Sequence, residues 1–299
     1  MAVSEAAKPL VDLQPQKEFF VGIDSDGCAF DSMEPKHKEC FCPNFVKWFN
    51  LACVSKFARE AWDFVNLYSK DRGCNRWLAL MKALALVRER DEVLARNVKI
   101  PSFSEIQKFV DSGKPLSNTG LDAYIGEVGK TAELEQARNW THGVNQFVAD
   151  IVKGVPPYPH VRESLDKVVP KADIVVVSAT PNEALQREWK EHRIDQHVRV
   201  IAGQEMGTKS EHLKLAAAEK YPNEKILMIG DAPGDRKAAR SVNALFFPIN
   251  PGNEAESWKR FHDEAFDKFV SGQYAGAYEE QLNREFDGYL PELPPWKRT

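Results

Sequence analysis

The stretch Phe19-Phe20-Val21-Gly22-Ile23-Asp24-Ser25-Asp26-Gly27 decides how the rest of the chain is read. Its opening residues are apolar or small without alternation, the pattern of a strand covered on both faces, as in a parallel sheet. Strand side chains alternate, so Asp24 and Asp26 start on the same side, and Gly27 lets the backbone turn where other residues resist. Carboxylates at the carboxyl end of a buried parallel strand stand where open α/β sheets bind ligands. Two acids so close repel each other unless a cation or a shared proton intervenes, which implies a metal or acid–base work. The same residues also fit a plain turn, since Asp and Gly are turn formers. A calcium loop does not fit: Gly27 is misplaced, and Pro35 stands where the bidentate Glu should be.

The 299 residues leave room for one large domain or two smaller ones, each with a core of its own. A hydrophobic content of 43% and a charged content of 28% are those of an ordinary globular protein. A net charge of -4 gives no electrostatic case for nucleic acid or an anionic membrane. Residues 1–17 lack the apolar core of a signal peptide and read as a flexible or loosely docked lead-in. No apolar run approaches a membrane span, so a soluble, cytoplasmic protein is expected. Five cysteines, an odd number, argue against a disulfide framework, and His37, Cys40 and Cys42 match no closed zinc spacing.

After the first strand the pattern turns helical from about Pro43. Apolar and aromatic residues from Phe45 to Tyr68 recur at helical spacing, Gly73 offers a stop, and a second helix is expected from Asn75 to about Leu94. Ser102 with Glu105 reads as a capping box, and two further helices are expected over 118–128 and 131–152. The stiff Val155-Pro156-Pro157-Tyr158-Pro159 closes this block. Beyond it short strands alternate with helices: strands over 173–177, 198–201, 225–229 and 244–247, helices over 160–168, 182–192, 210–221 and 235–242, and terminal helices over 254–270 and 274–286. The tail from Tyr289 is extended. The expected fold class is α/β, a doubly wound parallel sheet with an all-helical insertion. Residues 1–31 and 158–299 form the core and residues 32–157 the insertion.

The strand ends carry a consistent set of polar groups. Asp24 and Asp26 end the first strand, and Ser178 the second, with Thr180 as a rival hydroxyl. Lys209 opens a helix, and Gly230-Asp231-Ala232-Pro233-Gly234-Asp235 follows the fourth strand. Strand ends of a parallel sheet share one edge, so these groups could meet. Together they suit phosphoryl transfer. One carboxylate can act as nucleophile, forming an aspartyl-phosphate, and a second can protonate the leaving oxygen and then accept a proton from water. A lysine and a hydroxyl can hold the phosphoryl oxygens, and further carboxylates can hold magnesium.

In these four motifs, taken in order, the chain resembles the haloacid dehalogenase-like hydrolase superfamily, over about residues 18–31 and 158–250. The resemblance implies a Rossmann-like core with an inserted helical cap. It implies Asp24 as nucleophile and Asp26 as general acid/base. Ser178, with Ala179 beside it, and Lys209 would bind the phosphoryl group. Magnesium would be held by Asp24, the backbone carbonyl of Asp26, and Asp231, with Asp235 in support. Ser210 follows Lys209 where many relatives have proline. The acid at Asp26 favours phosphate esters over dehalogenation, because only the ester needs its leaving oxygen protonated. The reading is a magnesium-dependent phosphatase of a small phosphorylated metabolite, with a sugar phosphomutase of the same superfamily and a catalytically silent scaffold as alternatives. In the insertion, Arg72 and Arg76 could meet a second anionic group of the substrate, or could belong to a solvated loop. No nucleic acid or membrane partner is expected, and the oligomeric state is not legible.

Overall fold

Phe19–Ile23 is a strand, β1, with every residue buried. Four more strands run parallel to it: β2 (Ala172–Val177), β3 (Val200–Ala202), β4 (Ile226–Gly230) and β5 (Leu245–Pro248). Their order is β3-β2-β1-β4-β5, so the chain winds outward on one side of β1 and then on the other. That reversal beside β1 is the position at which doubly wound sheets open a crevice at their carboxyl ends. Ile23 lies level with Val176 of β2 and Ile229 of β4, which brings three strand ends together. The absence of alternation in β1 has a simple cause. Val21 and Ile23 pack in one apolar cluster with Trp258 and Phe247, while Phe20 packs in another with Met228 and Leu213. Removing each such side chain from water contributes roughly 1.5–3 kcal/mol.

The structure is a computed structural model that describes residues 4–297, and the chain falls into two units. The sheet unit comprises Met1–Ser32 and Gly154–Leu290, and the helical unit Met33–Lys153 and Pro291–Thr299. Among the described residues no helix is long and apolar enough to cross a membrane.

The lead-in is more ordered than the sequence suggested. Glu5–Ala7 and Lys8–Val11 are helical turns, and Ala7, Leu10 and Leu13 join the core. The Lys220 ammonium donates to the carbonyls of Leu10, Val11 and Leu13 at 2.9, 2.8 and 2.9 Å, which closes the otherwise unsatisfied end of the turn. The Pro-rich stretch is also pinned. Tyr158 donates its N–H to the Ala29 carbonyl and its hydroxyl to Asp31, both at 2.9 Å, against the segment leaving β1.

The helical unit differs from expectation at its joints. The helical run begins earlier, with Met33–Pro35 and a π-helical turn, Lys36–Phe41, leading into Cys42–Trp48. The long helix expected up to Tyr68 is parted there from Ser55–Leu67, because Asn50 adopts a left-handed conformation. Arg76–Arg88 stops short of Leu94 because Arg90 is extended, and Asp91–Leu94 is a separate turn. The Ser102 capping box does not form: the helix is Ser104–Asp111, and Phe103 precedes it at φ 54° with no side-chain cap. Ser117 and Thr131 do cap Asn118–Val128 and Ala132–Ile151, by accepting from the N–H groups of Gly120 and Leu134. Trp62, Trp77 and Trp140 form the centre, with the Trp140 ring 6.0 and 5.4 Å from the other two.

The tail is a further correction, since it was expected with the core. It belongs to the helical unit, where the Arg90 guanidinium lies 4.1 Å over the Trp296 ring and Phe64 meets that ring edge-on. Lys297 pairs with Glu89 at 2.6 Å and Lys70 with Glu292 at 3.1 Å. A large aromatic next to a guanidinium stack gains more from this surface than from water.

Candidate active site

Asp24 extends the sheet by one residue, its N–H donating to the Ile229 carbonyl at 3.0 Å. Its buried carboxylate accepts the Ser25 N–H at 2.8 Å on Oδ1 and the Lys209 ammonium at 2.7 Å on Oδ2. Gly27 then takes φ 75°, a left-handed conformation, and its N–H reaches the Phe30 carbonyl at 2.8 Å. This tight turn leaves Asp26 half-buried at the sheet edge. The Ser25 hydroxyl between the two acids is held by the indole N–H of Trp189 at 3.0 Å. Sequence reasoning missed Trp189, whose only signal was its place on an apolar helix face.

After β4 the chain turns through Asp231 into the helix Pro233–Ser241. Asp235 Oδ2 accepts the N–H groups of Asp231 and Ala232 at 3.1 and 3.0 Å, and Oδ1 takes the Lys209 ammonium at 2.6 Å. Gly230 is required by this closeness, because a Cβ there would come within 2.3 Å of Asp235 Cβ. Lys209 opens the helix Lys209–Ala216, and a capping box between Thr208 and Glu211 fixes its start. Thr208 and Glu211 thus set the helix start without a proline, and Ser210 is accommodated in the first turn.

Asp24, Asp231 and Asp235 are all buried and offer ligand oxygens within 4.8 Å of one another. Burial pushes the Asp24 carboxyl well above its ordinary range; Lys209 pulls it back, while Asp235 and Asp231 push it further up. Burial alone would lower the Lys209 ammonium, but Asp235 and Asp24 outweigh it and hold the lysine above its usual range. One ammonium cannot balance three carboxylates. Buried hard oxygen donors with excess negative charge are the donor set of a divalent cation such as magnesium, so these residues fit that ion.

At the end of β2, Ser178 is buried, and its hydroxyl oxygen accepts the Thr180 N–H at 3.2 Å. Ala179 is exposed. The rival Thr180 has a different partner, since its hydroxyl donates to Asp26 Oδ2 at 2.6 Å. Ser32 donates to the other oxygen of Asp26, and the sequence carried no signal for it. Asp24, Asp26, Ser178, Lys209, Asp231 and Asp235 thus all lie in the sheet unit, at one edge of its sheet. Arg72 and Arg76 lie in the helical unit. Arg72 is not the exposed loop cation that the sequence suggested: it is buried and donates to the Leu67 carbonyl at 2.9 Å, closing the end of Ser55–Leu67. Arg76 lies over the Phe41 ring and donates to Thr141 and Asn145 at 3.0 and 2.8 Å, and burial lowers its guanidinium to about 10.

Residues 98–248, just over half of the chain, match the family of haloacid dehalogenase-like hydrolases. The chain belongs to that family. The matched span holds Ser178, Lys209, Asp231 and Asp235, and the fold adds Asp24 and Asp26 to them. Similar solved structures include a candidate phosphoglycolate phosphatase from Lactobacillus delbrueckii subsp. bulgaricus, at 16% identity and TM-score 0.48, covering 91% of this chain and 99% of the other. A haloacid dehalogenase-like family hydrolase from Xanthomonas campestris shares 13% identity at TM-score 0.44, covering 92% and 98%. A candidate hydrolase of the family, YfnB from Bacillus subtilis, solved bound to magnesium, shares 11% at TM-score 0.43, covering 79% and 88%. No curated protein matches this haloacid dehalogenase-like hydrolase in sequence.

Proposed function

We propose that this hydrolase is a magnesium-dependent phosphatase of a small phosphorylated metabolite, with Asp24 as nucleophile. The observation that carries the reading is the Asp24 carboxylate, buried at the sheet edge and oriented by the Ser25 N–H and the Lys209 ammonium. In the first step an Asp24 oxygen attacks phosphorus, the ester P–O bond breaks, and its electron pair leaves on the ester oxygen, which takes a proton from Asp26. In the second, water attacks the aspartyl-phosphate phosphorus, gives its proton to Asp26, and the bond to Asp24 breaks, releasing phosphate. The Lys209 ammonium and the Ser178 hydroxyl are the donors for the phosphoryl oxygens. Asp24, Asp231 and the Asp26 carbonyl would hold magnesium, with Asp235 in support; bound there, the ion lessens repulsion between carboxylate and phosphate.

The test is phosphate release from a panel of phosphate esters, with magnesium and with a chelator. Release is expected only with the metal. Asp24→Asn, its fold checked by circular dichroism, should lose at least about a thousandfold in turnover. An Asp24→Asn enzyme near wild-type activity removes the mechanism. Isomerised sugar phosphate in place of free phosphate transfers the site to a phosphomutase.

A further inference from the structure

The acid/base residue is held from two directions by hydroxyls that the reaction steps above leave unused. Thr180, in the loop after β2, donates its hydroxyl to Asp26 Oδ2 at 2.6 Å, and Ser32, fully buried at the end of the segment leaving β1, donates to Oδ1. We infer that Ser32 and Thr180 are positioning residues that hold the Asp26 carboxyl group for proton transfer to and from the reacting oxygens. The inference rests on the reading of Asp26 as general acid/base.

Three features support it. A carboxyl group turns easily about its last torsion, whose wells are broad, and an acid must present one oxygen within hydrogen-bond reach of the leaving atom. Donors on both oxygens remove that freedom before substrate arrives, which is how positioned groups lower a barrier. Second, Ser32 and Thr180 both reach Asp26 through hydroxyls. A hydroxyl donates to a carboxylate and, after rotating, accepts from a carboxylic acid, whereas an ammonium or a backbone N–H can only donate. Asp26 passes between those two forms in each cycle, and Ser32 and Thr180 can follow it through both. Third, Thr180 is itself fixed. Its N–H donates to Ser178 Oγ at 3.2 Å, and its carbonyl accepts the Gln204 N–H at 3.0 Å. Gly203 packs so closely that a Cβ there would come within 2.6 Å of that carbonyl oxygen. The loop that presents Ser178 therefore also sets Asp26, so phosphoryl binding and proton transfer share one support.

The leaving group separates this role from a structural one. p-Nitrophenolate departs without a proton, whereas the alkoxide of glycerol 2-phosphate needs one. Thr180→Val is expected to lose at least about tenfold more kcat/KM on glycerol 2-phosphate than on p-nitrophenyl phosphate. Thr180→Ser, which keeps the hydroxyl, should return close to the wild-type ratio, and Ser32→Ala should shift the ratio in the same direction as Thr180→Val. Asp26→Asn is the reference, with its own loss concentrated on the alkyl ester. Equal losses on both esters in Thr180→Val and Ser32→Ala, beside a selective loss in Asp26→Asn, overturn the inference alone. An Asp26→Asn enzyme that keeps its activity, or loses both esters equally, overturns the role of Asp26 and the inference with it.

Discussion

Burial decides which side chains of this molecule carry charge. At the end of β1, burial raises Asp24, and the lysine it meets is held protonated by two carboxylates. Such a group is tolerable only in company, which is why the four charged residues come as a set. One helical turn beyond Lys209, His212 is fully buried in the same helix and shows the reverse case. Burial lowers its imidazole from 6.5 to about 4, although the nearby Gly203 backbone opposes the shift. An unfolded chain therefore binds a proton there that the folded chain refuses between about pH 6.5 and 4, and stability falls as pH drops through that window. The full difference approaches roughly 3 kcal/mol. Thermal melts of wild type and His212→Leu should converge or cross as pH is lowered from 7 to 4.5, with the wild type losing more; parallel curves contradict this account.

Among the elements, β2 does two jobs at its two ends. Its carboxyl end delivers Ser178 and Thr180, while its amino end carries Asp173, buried and sharing one carboxylate among several donors. Oδ2 accepts the N–H groups of Gln16 and Lys17 at 2.7 and 2.9 Å and the Tyr221 hydroxyl at 2.8 Å, and Oδ1 accepts Arg199. The strand thereby ties the lead-in to the sheet at the edge opposite the site. Removing the carboxylate leaves the buried Tyr221 hydroxyl unpaired, at about 1–3 kcal/mol, and unties the more exposed Gln16, Lys17 and Arg199 from the strand. Asp173→Ala is expected to lower the melting temperature by roughly 5–10 °C while leaving kcat of the folded fraction unchanged. A matching loss of kcat would place Asp173 in the chemistry instead.

At the scale of the whole molecule, the buried apolar side chains form three clusters, one on each face of the sheet and one around the buried tryptophans of the helical unit. Trp296, almost at the C-terminus, packs against the last of these. Trp296→Ala should destabilise the helical unit by about 2 kcal/mol through lost ring contacts, with protease sensitivity rising in residues 33–153 rather than in the sheet. A stability change confined to the sheet unit would contradict this. The sequence by itself determined the strands, the helical insertion, and Asp24, Asp26, Ser178, Lys209, Asp231 and Asp235 as candidates. Unbroken apolar runs ending in polar residues admit few other readings, and the ends of parallel strands must share an edge. Tertiary structure alone decided which groups touch. Ser32 and Thr180 reach Asp26, and Trp189 reaches Ser25 beside it, only because the turn at Gly27, the loop after β2 and a helix packed on the sheet converge there. Arg72 reads as an exposed cation in the sequence because its burial, and its bond to a backbone carbonyl of the kind every residue carries, leave no local mark. The tail was misplaced for a similar reason: which surface takes up Trp296 depends on the Arg90 guanidinium over its ring and the Phe64 edge against it, which local sequence does not encode.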